Sequence, residues 1–104
     1  MAIIIKNFDS YSMEYWSLQD DHAIASIRCN DGTVIVGYLK FEDYYPLSHN
    51  SYTNNIIRMH FHISHLNDVI TFLRYERPLQ LWFDDVKNGG RIQTISHEPV
   101  GEQE

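Results

Sequence analysis

The chain has 104 residues, 43% apolar and 21% charged, a composition that suits one globular domain and excludes the low-hydrophobicity, high-charge pattern of disorder. Eight Lys and Arg against fourteen Asp and Glu leave a net charge of −6, which repels phosphate backbones at long range and turns the expectation from nucleic acid toward a protein partner or a small ligand. A single cysteine, Cys29, excludes an internal disulfide, and no apolar run reaches the length of a signal-peptide core or a membrane helix, so the expected setting is cytoplasmic and free of membrane.

In chain order, residues 2–8 are short and β-branched, Asp9-Ser10 offers turn chemistry, and residues 11–18 follow as a second extended run, so the opening reads as a hairpin. In that second run Tyr11, Met13 and Tyr15 share one face, opposite Ser12, Glu14, Trp16 and Leu18. Residues 22–29 and 33–41 flank Asn30-Asp31-Gly32, a tight-hairpin signal because glycine accepts positive φ. Both faces of 33–41 are apolar, which predicts a central strand covered on each side. Residues 42–54, with Pro46 and several Ser and Asn, read as the longest loop. Residues 55–63 alternate, with Ile57, Met59, Phe61 and Ile63 opposite Ile56, Arg58, His60 and His62.

Ser64 has the chemistry of a helix N-cap, Leu66, Val69, Ile70 and Leu73 form one helical stripe, and Pro78 ends the helix. Residues 79–85 and 91–97 form a last hairpin around Asn88-Gly89-Gly90, and 98–104 read as a flexible polar tail. The expected fold is a single α+β domain over residues 1–104, a strongly bent, mostly antiparallel sheet or small barrel of six to seven strands with one amphipathic helix.

Histidine is concentrated at His60, His62 and His65. Alternation sets His60 and His62 on one strand face roughly 7 Å apart, near enough to share a divalent metal, with His65 at the helix start and Asp84, Asp85 and His97 as further candidate ligands. The run His60-Phe61-His62-Ile63-Ser64-His65 resembles the HxHxDH motif of the metallo-β-lactamase fold, with Ser64 where that family has aspartate. The resemblance spans six residues of a chain about half the length that fold requires. The same polar alternation is what a half-solvated strand needs in any case.

The segment from Asp31 to Lys40, with Gly32, Gly37, Leu39 and then Asp43, resembles the first half of the Sm-like signature. That resemblance implies a small, strongly bent RNA-binding barrel in which Gly37 permits the bend. The arginine-glycine pair of the second half and the family's N-terminal helix are missing.

No glycine-flanked nucleophile and no phosphate loop occurs, and Cys29 falls mid-strand, so the sequence points away from enzymatic chemistry. Aromatic residues make up 13%, and Trp16, Tyr44, Tyr45, Tyr52 and Trp82 fall where the core pattern does not demand them, near the acidic pairs Asp20-Asp21, Glu42-Asp43 and Asp84-Asp85. These side chains supply contact area at low entropic cost. The expectation is a small binding module that uses an aromatic, acidic sheet surface and pairs as a homodimer through open sheet edges. The alternative is a metal-dependent enzyme or metal-binding protein built on His60, His62 and His65.

Overall fold

The computed structural model describes residues 2–20 and 23–95. It is an α+β fold of eight strands in two sheets, with a short helix. β1 (Ile3–Phe8), β7 (Leu79–Asp84) and β8 (Gly89–Thr94) form a three-stranded sheet in the order β1-β7-β8. β2 (Ser10–Asp20), β3 (Ala23–Asp31), β4 (Val34–Glu42), β5 (Ser51–Thr53) and β6 (Ile56–His62) form the other, ordered β2-β3-β4-β6-β5. A 3-10 turn at Ile63–His65 leads into α1 (Leu66–Tyr75).

Neither sheet closes on itself, so the expected small barrel is replaced by two open sheets with a shared core. The expected opening hairpin is also absent: β1 pairs with β7, and β2 pairs with β3. One residue, Asp9, separates β1 from β2, fewer than the two a tight hairpin loop uses. Asp9 instead carries the chain from one sheet to the other, its N–H donating to Asn30 O at 2.9 Å and its Oδ1 accepting from Gly32 N at 3.1 Å.

The β3–β4 hairpin forms as the sequence predicts, with Asp31 opposite Val34 and Gly32 at φ +62°. β4 is central, between β3 and β6. Its pairing with β6 is parallel, while the other described pairings are antiparallel, in line with the expected mostly antiparallel arrangement. A parallel return needs a crossover of about a dozen residues, and residues 43–55 supply it without a helix. Part of the segment read as loop is β5, joined to β6 through Asn54 and Asn55, both left-handed at φ 53° and 64°. Asparagine is the non-glycine residue best suited to those angles, so Asn-Asn before an alternating run was a hairpin signal in the sequence.

The helix buries the predicted stripe, with Val69 and Leu73 buried and Leu66 and Ile70 partly so. Ser64 is not its N-cap: it lies inside the 3-10 turn, where the His62 ring accepts its N–H. The β7–β8 hairpin forms, with Asn88 at φ 60°. His97 and the tail at 98–104 lie outside the described residues.

The core is assembled from inward positions of both sheets. Ala25, Ile27, Cys29, Leu39, Phe41, Ile57 and Met59 come from one, Phe8, Leu79, Leu81 and Phe83 from the other, and Val69 and Leu73 from the helix. Each large apolar side chain enclosed this way contributes roughly 1.5–3 kcal/mol. Two glycines set the sheet separation: a Cβ on Gly37 would fall on Leu81 Cδ1, and one on Gly90 would lie 2.9 Å from Met59 Sδ. Gly37 thus serves to admit a side chain of the facing sheet rather than to bend a barrel.

Cys29 is fully enclosed, and burial pushes its thiol up to about 12. A thiolate-directed reagent at mildly alkaline pH is expected to leave native protein unmodified and to react stoichiometrically once urea unfolds it, because the thiolate is the nucleophile. Rapid reaction without denaturant would contradict this packing.

Candidate functional site

Parallel pairing of β4 and β6 brings Glu42 and His62 opposite each other, and Lys40 opposite His60, on the outward face of the larger sheet. Glu42 is 2% exposed and fully engaged. Its Oε1 accepts from Ser48 N at 2.9 Å, and its Oε2 lies 3.1 Å from His60 Nδ1. Burial alone would raise the Glu42 carboxyl. Hydrogen bonds from the Ser48 backbone and hydroxyl, together with the charge of and hydrogen bond from His60, outweigh burial and hold it below its ordinary value.

The segment after β4 is fastened down by the same residues. His60 N donates to Asn50 Oδ1 at 2.8 Å, Asn50 Nδ2 donates to Asn88 O at 3.0 Å, and the Tyr45 ring stacks on His62 at 4.9 Å between centroids and 4° between planes. The hydrogen-bond partners fix the two histidines in opposite tautomers. A carboxylate only accepts, so neutral His60 carries its proton on Nδ1 and leaves an Nε2 lone pair; His62 Nδ1 accepts from Ser64 N at 3.2 Å, so neutral His62 carries its proton on Nε2.

The structure does not assemble the expected metal centre. Among the described residues no group of three or more His, Cys, Asp or Glu side chains is arranged to hold a metal ion. The protonated Nε2 of His62 is no ligand unless its bond to Ser64 is given up, and His65 is an exposed residue at the start of α1. Asp84 and Asp85 are spent on the chain itself: Asp84 Oδ1 accepts from Val86 N and Lys87 N in the β7–β8 turn, and Asp85 Oδ1 accepts from Ala2 N.

The five candidate aromatic residues are dispersed. Trp16 is half-buried on β2; Tyr44 is exposed and Tyr45 covers His62. Tyr52 packs against the core with the Lys6 ammonium 5.6 Å from its ring. Trp82 is half-buried on β7 and stacked under the Arg91 guanidinium at 3.8 Å. None of the five lines the clefts between α1 and β8, at the start of β2, or on the outward face of β2 and β3.

A different aromatic strip is uncovered. Tyr11, Met13 and Tyr15 stand opposite Cys29, Ile27 and Ala25, and so belong to the face that elsewhere is core. Their neighbours on β3 are 0% exposed, yet Tyr11 is 37%, Met13 41% and Tyr15 65% exposed. β2 is an edge strand, paired on one side with β3. The one-face grouping of these three residues was visible in the sequence; that the face would remain open was not.

No helix among the described residues is long and apolar enough to cross a membrane. No protein family, curated protein or solved structure matches the chain.

Proposed function

We propose that this chain is a non-enzymatic interaction module that operates as a homodimer, with β2 as the surface through which two copies join. The observation that carries the reading is the exposure of Tyr11, Met13 and Tyr15 on a sheet face whose remaining positions form the core. An exposed apolar edge strand is a template for strand addition, and closing it across a two-fold axis removes the liability.

The strand is suited to pairing with itself. An antiparallel two-fold centred on Met13 sets Met13 against its own copy and Tyr15 against the copy of Tyr11, so the open strip becomes a continuous apolar row. On the other face Glu14 meets Ser12 rather than another Glu14, so no like charges oppose. A heterologous protein adding its own strand would use the same edge and is the competing occupant.

Sedimentation equilibrium across a micromolar concentration range is expected to show dimer. In the paired register Met13→Lys sets a cation against its own copy and Tyr15→Lys removes a ring from the apolar row, so the double variant is expected to give a monomer whose circular dichroism matches the parent. A wild-type chain that stays monomeric throughout, or a double variant that still dimerises, would sink this reading.

A further inference from the structure

On the outward face of the larger sheet, strand register sets Ser12, Arg28, Tyr38 and Arg58 in one row across β2, β3, β4 and β6. The next row holds Glu14, Ser26, Lys40 and His60. Three of the chain's eight Lys and Arg therefore surround one tyrosine, on a chain whose net charge is −6.

The cations are arranged about that ring. The Arg58 guanidinium lies 5.8 Å from the Tyr38 centroid and the Lys40 ammonium 6.0 Å. Arg58 is aimed by its bond to Thr53 Oγ1 at 2.8 Å. Arg28 is exposed, and no ion pair engages it among the described residues. With Ser12, Glu14, Ser26 and Tyr38 it lines a concavity of about 330 Å³. Glu14 is the carboxylate within these two rows, and Glu42, in the row beyond, is already occupied by Ser48 and His60.

We propose that this face binds single-stranded nucleic acid. Net charge governs approach at distance, but exposed charges beyond about 8 Å are screened at physiological ionic strength, so the groups at contact decide. Arg28 and Arg58 flank Tyr38 two strand spacings apart, roughly 10 Å, which places phosphate partners on either side of a ring on which a base can stack. Ser12, which is exposed, adds a hydroxyl of the kind that positions sugar and phosphate. A duplex keeps its bases stacked inside and offers none to Tyr38, and an acidic peptide would meet the cations without using the ring. The face is distinct from the open inner strip of β2, and the proposal does not depend on dimer formation.

The test is fluorescence anisotropy of a labelled oligothymidylate of about 15 nucleotides titrated with the full chain, where single strands lose affinity with a slope of about −0.7 per neutralised phosphate. Three contacts predict about a twentyfold loss between 50 and 200 mM salt, and Arg28→Gln, keeping two, predicts about sevenfold. Tyr38→Leu is expected to weaken binding at least fivefold at unchanged salt slope, as expected for a lost stacking platform. The wild-type salt slope needs no variant, and urea midpoints establish that each variant is folded. The proposal is overturned by no binding at low salt, by an affinity indifferent to salt, by a duplex that binds equally well, or by an oligoglutamate that displaces the probe as effectively as unlabelled oligothymidylate.

Discussion

Gly37→Val is expected to destabilise the fold by about 3 kcal/mol, the upper end of what overpacking a core costs, although valine is the better strand former. Local propensity favours valine by at most about 1 kcal/mol. Against that, a Cβ at position 37 would clash with Leu81 Cδ1 and lie 3.2 Å from Ile57 O. Leu81 is 0% exposed, so its methyl has no open space to retreat into, and the carbonyl belongs to the neighbouring parallel strand. Packing therefore decides the sign. A double-mutant cycle isolates the contact: Leu81→Ala alone should cost about 2–5 kcal/mol through the cavity it leaves. Gly37→Ala combined with Leu81→Ala should cost less than the sum, because the new methyl enters that cavity, with a coupling of about 0.5–3 kcal/mol. Urea-denaturation midpoints measure all four corners, and strict additivity would show that the two sheets do not meet at this point.

Gly37 also shows where the sequence stops being readable. Features encoded within a few residues were legible: the Asp31-Gly32 turn, the hairpin ending at Asn88, and the stripe from Leu66 to Leu73, each fixed by local backbone preference or helical period. The division into two sheets was not, because alternation says which side chains share a face and nothing about which strand lies alongside. β1 and β2 look like a hairpin at the level of composition, and the single residue Asp9 between them is the feature that forbids it. The histidines were visible as a cluster, yet the partner that fixes His60 is Glu42, eighteen residues earlier and brought alongside by a parallel pairing that no local signal announces. In the sequence Glu42 stands only as half of the acidic pair Glu42-Asp43. The outward cations Arg28, Lys40 and Arg58 are likewise scattered in sequence and become one surface through register, which is why net charge gave no hint of them.

Glu42 is the polar residue whose removal should cost most, and both its size and its pH dependence follow from its contacts. Glu42→Leu leaves the Ser48 N–H and the His60 Nδ1–H without their acceptor beneath the segment after β4, and breaking a buried pair from one side costs about 3–5 kcal/mol. Glu42→Gln keeps an accepting oxygen but loses the charge-assisted bonds, for about 1–3 kcal/mol. Glu42→Leu with His60→Leu should recover much of the loss, because replacing both partners by apolar groups leaves fewer polar groups stranded. The carboxyl sits below its ordinary value of 4.5 in the folded chain, so the unfolded chain takes up the proton first as pH falls. Its stabilising contribution is therefore complete above 4.5 and is lost as pH drops through the lower folded-state value. In wild-type protein the melting temperature should carry this additional acid-side decline, and in Glu42→Gln that component should vanish, since the amide does not titrate. Parallel acid profiles for the two proteins would mean that Glu42 is not clamped by Ser48 and His60 in solution.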